Sequence, residues 1–261
     1  MSVLRLAAVF FRVGILNELQ YRVNFFLQLL QSLIALATGL IGLSLVFSHT
    51  ESLAGWTRPE LLAVMGVHIL MGGFIQALVQ PNMERLMADV REGTLDYALT
   101  KPADSQALVS VRQIRLWQLV DVLIGLVVLA VAVGELRGQL GPWQAFAFAS
   151  ALLAGGLMIY AFWLMLTSTA FWVVRVDEMV NLFQGVYAAG RWPVGVYPGW
   201  LRSGLTFLVP VAFAVTVPAE ALTGRLTTTT LVGALALAAA LLLLSRWVWR
   251  TGLKRYSGAS A

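Results

Sequence analysis

Residues 25–47 read FFLQLLQSLIALATGLIGLSLVF and contain no charged side chain. A helix needs about 20 apolar residues to cross a bilayer, because the hydrocarbon core is about 30 Å thick. Residues 25–47 reach that length without interruption. We therefore predict a membrane-spanning helix here, and similar stretches recur along the chain.

Five further crossings are predicted in the remaining sequence. They are residues 61–80, 116–134, 143–174, 178–192 and 226–249. The crossing 116–134 carries a single charge, Asp121, about one turn inside its start, where we expect it to reach arginines of the neighbouring loop. Composition agrees with six crossings, because 59% of the residues are hydrophobic and 12% are charged, against about 45–50% and 25% in soluble domains. The predicted fold is an all-α integral membrane domain over residues 1–261.

The region after residue 192 is the least regular part of the chain. Proline lacks an amide proton and clashes with the preceding helical turn, so no straight helix runs through closely spaced prolines. Such irregular backbone persists at membrane depth only where protein or a water-filled cavity shields it. We predict a re-entrant segment over residues 193–222. Four prolines are expected to shape it and the outer gate: Pro193, Pro198, Pro210 and Pro218.

The basic residues predict the orientation of the chain. With the amino terminus in the cytoplasm and six crossings, 13 Lys and Arg fall on inner segments and 5 on outer ones, which together make the 18 in the chain. Lys and Arg concentrate on cytoplasmic loops, so both termini are predicted to lie in the cytoplasm. Residues 3–24 alternate apolar blocks with charges, which is typical of an interfacial helix against membrane lipids. The net charge of +5 is explained by these loops, and no nucleic-acid partner is expected.

The loop 82–115 is the longest predicted cytoplasmic segment. Its centre, residues 89–104, reads DVREGTLDYALTKPAD. Gly93 can end one helix and the hydroxyl of Thr94 can cap the next, while the residue before Pro102 avoids helical angles. This pattern predicts a short capped helix that a motor protein could grip, although a merely well-capped loop would read the same way.

Chemistry that could power or catalyse a reaction is missing from the sequence. There is no GxxxxGK[ST] loop for nucleotide phosphates, no GxSxG elbow and no HExxH pair, and the chain has no cysteine. Two histidines are too few for a histidine-based metal cluster. We therefore predict neither a catalytic nor a metal site. His68, Gln76 and Gln31 are candidates for a polar pathway, although polar side chains inside a membrane also join neighbouring helices.

Three stretches resemble a known family. Residues 91–110 (REGTLDYALTKPADSQALVS) resemble the E/R-x-G-T-L-[ED]-x-L-x-x-x-P segment of type-2 ABC exporter permeases, and most closely a bacterial branch that reads REGTLDYxLxKPxD. Residues 191–202 (RWPVGVYPGWLR) and 207–222 (FLVPVAFAVTVPAEAL) resemble its extracellular re-entrant segment. The resemblance runs from about residue 16 onward, with Gly258 in the tail where the branch has serine.

The resemblance implies a fold, partners and site residues. The fold would have six transmembrane helices, an interfacial helix, a cytoplasmic coupling helix and a re-entrant hairpin before the last helix. Two permease chains, identical or related, would form one path driven by two copies of a separate ATPase, which would hold ATP and Mg²⁺; the chain itself would need no cofactor. Export of a lipid-like or drug-like amphipathic substrate, as in multidrug efflux, across a bacterial inner membrane is implied. The ATPase-coupling residues would be Arg91, Glu92, Gly93, Thr94, Leu95, Asp96, Lys101 and Pro102.

Two other functions remain open at this stage. A self-sufficient channel or an ion-coupled carrier needs no ATPase, but intramembrane carboxylates, the usual proton relays, are nearly absent. A membrane enzyme acting on lipids needs acid, base or metal ligands together at one interface. The sequence offers no such group.

Overall fold

The chain folds into helices joined by short turns. The structure is a computed structural model that describes residues 22–102, 104–136, 141–172 and 178–256. The helices are α1 (Arg22–Phe47), α2 (Arg58–Glu92), α3 (Asp96–Leu99), α4 (Ser105–Val109), α5 (Leu116–Glu135), α6 (Pro142–Phe171), α7 (Glu178–Ala189), α8 (Gly199–Leu208), α9 (Ala212–Leu222) and α10 (Thr228–Leu253). Most of the predicted interfacial helix, residues 3–24, lies outside the described residues.

Five of these helices, α1, α2, α5, α6 and α10, are long and apolar enough to cross a membrane. The pair α8 and α9 adds a sixth crossing if it counts as one span, although its two halves meet at 79°. The prediction of an all-α integral membrane protein is confirmed. Within the predicted crossing 178–192, the helical part is α7, whose 12 residues extend about 18 Å at 1.5 Å per residue. The six predicted boundaries stay predictions.

The helices α2 and α5 cross one another at close range. Helices in a membrane approach closely where small residues lie at the contact, because lipid provides no hydrophobic force between them. A Cβ atom on Gly125 of α5 would lie 2.5 Å from the backbone nitrogen of Leu70 in α2, so only glycine permits this crossing. Gly155 of α6 meets the backbone of α9 at Phe213 in the same way.

Two π-helical turns precede prolines inside helices. In α2 the π turn Ile75–Val79 is followed by Pro81, and in α9 the π turn Ala212–Thr216 is followed by Pro218. A proline inside a helix cannot donate to the carbonyl four residues earlier and clashes with it. A wider turn before the proline relieves that clash, so α2 continues through Pro81 to Glu92, beyond the predicted crossing 61–80.

The bundle has two distinct ends. At the first, which we name the loop end, lie the start of α1, the connecting segment between α2 and α5 (residues 93–115) and the last turns of α10. Phe25 of α1 packs edge-on against Trp117, 5.7 Å between centroids, and Arg246 of α10 bonds to Asp104. At the opposite end, the far end, Arg225 forms an ion pair of 2.7 Å with Glu60 at the start of α2.

Candidate functional site

The connecting segment begins where α2 ends. Gly93 adopts a left-handed backbone with φ of 69° and ends the helix. One turn earlier in α2, Asp89 is 1% exposed and forms ion pairs with Nε of Arg85 at 2.9 Å and Nη2 of Arg112 at 2.7 Å. Asp89 also accepts a hydrogen bond of 3.1 Å from the hydroxyl of Thr94. A buried carboxylate is stable only when paired. Asp89 therefore connects both halves of the connecting segment to the end of α2.

At the short helix α3, one side chain is strongly exposed, and two others, one of them just before the helix, are buried against the bundle. Leu95 is fully buried and Ala98 is 3% exposed, whereas Tyr97 is 77% exposed. The predicted N-cap is wrong: the residue before α3 is Leu95, and the hydroxyl of Thr94 donates to Asp89 instead of accepting an amide. A buried carboxylate accepts that hydroxyl in a charge-assisted hydrogen bond, which is stronger than the bond that a neutral amide could donate to the hydroxyl.

The returning half of the segment is bonded to α10. Asp104 caps α4 by accepting the amide of Ala107 at 3.0 Å, and it forms a two-pronged ion pair with Arg246, whose Nη1 lies 2.9 Å from Oδ1. Arg246 also donates to the side chain of Gln106 at 2.8 Å. Hydrogen bonds from Arg246 lower the pKa of Asp104 to about 2. The last turns of α10 are therefore held against the connecting segment.

The segment then bonds back into α2 beside Pro81. The carbonyl of Ala77, which Pro81 cannot serve, accepts the backbone amide of Arg115 at 3.0 Å. The buried side chain of Asn82 donates to the carbonyl of Gln113 at 2.7 Å and accepts its amide at 2.8 Å. Pro81 thus leaves the carbonyl of Ala77 free to accept a hydrogen bond from the returning half of the segment. That half is therefore bonded to α2 at both Ala77 and Asn82.

A polar cavity of about 300 Å³ lies in the membrane-spanning region between α1, α2 and α7. Its polar lining side chains are Ser32, His68, Gln76, Gln80, Asp121, Gln184, Tyr187 and Arg191. The ring of His68 stacks on Tyr187 at 4.6 Å, and the Tyr187 hydroxyl donates to the His68 carbonyl at 2.8 Å. A closed membrane core would exclude such groups, so their convergence indicates a site for water or polar ligand groups.

A family model described as "ABC-2 family transporter protein" matches residues 33–260. The chain belongs to the ABC-2 transporter family. No curated protein and no solved structure matches it. ABC-2 permeases are membrane subunits of transporters, and they typically work with an ABC ATPase. The multi-pass helical architecture agrees with that membership.

The residues expected to couple an ABC-2 permease to its ATPase lie together at the loop end. Arg91, Glu92, Lys101 and Pro102 are exposed, and Gly93, Thr94 and Asp96 are partly exposed. Leu95 differs, because its side chain is fully buried and supports α3 from within. Coupling by these residues stays a prediction.

The three pathway candidates are not brought together. His68 and Gln76 line the polar cavity, whereas Gln31 lies on the exposed face of α1, outside the lining. Asp121 also lines the cavity. It does not reach a loop arginine as expected, because Gln28 of α1 lies closer and donates to its carboxylate at 3.0 Å.

The four prolines lie along the connection from α7 to α9. Pro193 precedes a 3₁₀ turn (Val194–Val196), Pro198 is the residue before α8, Pro210 lies at the 79° bend and Pro218 lies inside α9. Each therefore lies at a helix boundary, at the bend or after a π turn in the predicted re-entrant segment. Their role in an outer gate stays a prediction.

Sequence reasoning missed the side chains that connect the parts of this site. The spacing of Arg85 and Asp89, four residues apart, could have indicated a helical ion pair. Neither Arg112 nor Asn82 gave such a signal, because their partners lie more than twenty residues away in sequence. No sequence pattern singled out Tyr97, whose 77% exposure is visible only in the structure.

Proposed function

We propose that this ABC-2 permease is the membrane subunit of an exporter, and that a separate ATPase docks on residues 91–102 and drives it. ATP and Mg²⁺ would be bound by two copies of that ATPase. A second permease chain, identical or related, would complete the path. The substrate class that fits is lipid-like or amphipathic, including drug-like molecules.

One observation carries this proposal: α2 extends without a break from the exposed segment to the polar cavity. Its last residue, Glu92, adjoins the expected contact, and His68 and Gln76 lie on the same helix further along. A displacement of the segment therefore reaches the cavity through one continuous helix. The π turn Ile75–Val79 contains Gln76, so the helix can change its local winding where it lines the cavity.

The contacts around the segment determine how such a displacement would spread. The Asp89–Arg112 pair and the Asn82–Gln113 bonds make α2 and the returning chain move together. The Asp104–Arg246 pair extends the same connection to α10. Closure of the ATPase would then shift α2 and α10 as a unit against the other helices, which is how a permease could alternate between two packings.

The test is co-purification with an ABC ATPase co-expressed from a neighbouring gene. Tyr97 is the exposed aromatic residue of α3, and truncating an aromatic anchor at an interface typically weakens binding by about 2 kcal/mol or more, about thirtyfold. We expect Tyr97→Ala to lose most of the bound ATPase. Trp200→Ala is the matched control, since Trp200 in α8 is equally exposed, at 77%.

Backbone geometry offers a second arm of the test. Gly93→Pro cannot adopt a positive φ, so we expect it to displace α3 and abolish ATP-driven transport. Gly224 has a φ of 70° at the far end, so Gly224→Pro imposes the same strain away from the segment. If no ATPase co-purifies with the wild-type chain, or if Gly93→Pro transports normally, the proposal is wrong.

We also propose an orientation for the chain and the membrane in which it lies. The loop end would face the cytoplasm of a bacterium, with both termini inside and the chain in the inner membrane. The excess of Lys and Arg on the segments assigned to that side supports this orientation.

An ion-coupled carrier is the second candidate, favoured by Asp121 and His68 lining one cavity. An intramembrane carboxylate beside a histidine is typical of proton relays. Vesicles containing the purified chain alone would distinguish the two functions. Uptake driven by a pH gradient and abolished in Asp121→Asn would support the carrier, and absence of such uptake would exclude it.

A further inference from the structure

A second, larger cavity lies on the other side of α2 from the polar cavity. It has a volume of about 900 Å³ and lies between α2, α5 and α6. Its walls are largely apolar, and include Leu70, Phe74 and Leu78 of α2 with Phe148 and Leu152 of α6. We name it the apolar cavity.

The apolar cavity opens sideways. The helices α5 and α6 follow one another in the chain but barely touch, because α5 packs chiefly against α2 whereas α6 packs chiefly against α9 and α10. Leu153 of α6 lines the cavity and is 64% exposed, so the opening faces the surroundings of the bundle. For helices that cross a membrane, those surroundings are the acyl chains of lipids.

The polar lining of this cavity lies at the loop end. Asn82, Ser110, Gln113 and Tyr160 are found there, and the Tyr160 hydroxyl is hydrogen-bonded to Ser110 at 2.8 Å and to Gln106 at 3.2 Å. The rest of the wall offers no comparable group among the lining residues. The cavity is therefore amphipathic along its length, polar at the membrane surface and apolar inside.

The lining residues of α6 extend over a distance comparable with the thickness of one leaflet. Phe148 and Tyr160 of α6 both line it and are twelve residues apart, which is about 18 Å along a helix. A hydrocarbon core is about 30 Å thick, so one leaflet is about 15 Å. An apolar space of this depth is a poor site for water, and left empty it would lose the contacts that its lining side chains could make.

We propose that the apolar cavity binds one phospholipid of the leaflet at the loop end, with an acyl chain between α5 and α6 and the headgroup beside Gln113 and Ser110. The chain enters through the sideways opening and fills the space along α2. The bound lipid then packs against the face of α2 opposite the polar cavity. Binding of this lipid requires neither an ATPase nor transport.

The experiment uses a phosphatidylethanolamine that carries a diazirine at the end of one acyl chain. The full-length chain is placed in vesicles of phosphatidylethanolamine and phosphatidylglycerol, irradiated, and mapped by peptide mass spectrometry. We expect labelling of residues 148–157 above that of the exposed face of α10. In Ala149→Trp, where an indole occupies the cavity, this excess falls to the level of α10.

The control is Ala236→Trp, which adds the same ring to an exposed position of α10. Labelling of residues 148–157 should stay at the wild-type level in that variant. Gly156→Leu fills the cavity from another lining position and serves if Ala149→Trp does not fold. Retention of the excess label in the folded filled variant would overturn the proposal.

Two further results would also overturn it. Even labelling along all exposed helix faces would show that the cavity holds no lipid in preference to the bulk bilayer. Labelling that appears only after deletion of residues 1–21 would show that the chain's own amino-terminal segment occupies the cavity. Because labelling needs no ATP, each result is independent of the proposed exporter function.

Discussion

Asp89→Asn tests whether the connecting segment is held by a buried charge. The side chains of Asp89 and Arg112 are 2% and 15% exposed, and their charged atoms lie 2.7 Å apart. Removing one partner of a buried pair leaves the other charge uncompensated and costs about 3–5 kcal/mol. Arg85 adds little, because it is 48% exposed and such pairs contribute about 0–1 kcal/mol. We expect a loss near the lower limit, about 3 kcal/mol, since asparagine keeps the shape and some hydrogen bonds.

The measurement is unfolding in mixed micelles with increasing dodecyl sulfate, followed by tryptophan fluorescence. Glu84→Gln is the matched control, because Glu84 also lies on α2 and pairs with an arginine of the returning chain, Arg115, but both are partly exposed, at 30% and 42%. We expect that control to lose less than about 1 kcal/mol.

A double variant separates the pair from general damage. Adding Arg112→Gln to Asp89→Asn removes the orphaned charge, so we expect a coupling energy of about 2 kcal/mol between the two positions. Equal losses in Asp89→Asn and Glu84→Gln, or strictly additive effects in the double variant, would refute the reasoning.

Three further predictions follow from other parts of the molecule. Gly125→Val should separate α2 from α5 and lower the free energy of unfolding by about 3 kcal/mol, whereas Gly134→Val, with nothing within 4 Å of its added Cβ, should cost far less. The pKa of Asp104 is lowered to about 2 in the folded chain, against about 3.9 in the unfolded chain. The stability that this difference contributes is therefore fully present above about pH 3.9 and is lost as the pH falls through about 2. Between these two pH values, the free energy of unfolding should fall more in the wild type than in Asp104→Asn. The chain has no cysteine, so single cysteines at Ser52 and Thr100 can report orientation: an impermeant maleimide should label Ser52→Cys in intact cells and Thr100→Cys only after permeabilisation, and the reverse order would contradict a cytoplasmic loop end.

The membrane fold was accessible from sequence because its signal is local. Uncharged runs such as residues 25–47 identify a spanning helix without knowledge of any partner, and a tertiary contact rarely overrides a length requirement set by the bilayer. The break between α8 and α9 was indicated by Pro210 for the same reason. Gly93 ended α2 as expected, since a left-handed turn selects glycine strongly.

The parts that sequence could not supply are contacts between distant positions. The hydropathy window 61–80 ended where charges began, but α2 continued because the polar residues after Pro81 form a helix outside the apolar core. The sequence predicted that Asp121 would reach an arginine of the loop, whereas the structure places Gln28 of α1 against it. Such choices depend on how helices pack, which the one-dimensional pattern does not encode.

The position of α2 as a shared wall links the two cavities. Leu70, Phe74 and Leu78 face the apolar cavity, while His68 and Gln76 face the polar cavity, so a rotation of α2 changes both spaces in opposite senses. The Asn82–Gln113 bonds fix that rotation from the loop end. If a lipid fills the apolar cavity, it opposes rotation of α2 in one direction, and movement of the connecting segment must overcome that resistance. A filled variant such as Ala149→Trp should therefore alter the coupling between ATPase and permease even though Ala149 lies on α6, outside the expected ATPase contact at residues 91–102 and outside the polar cavity.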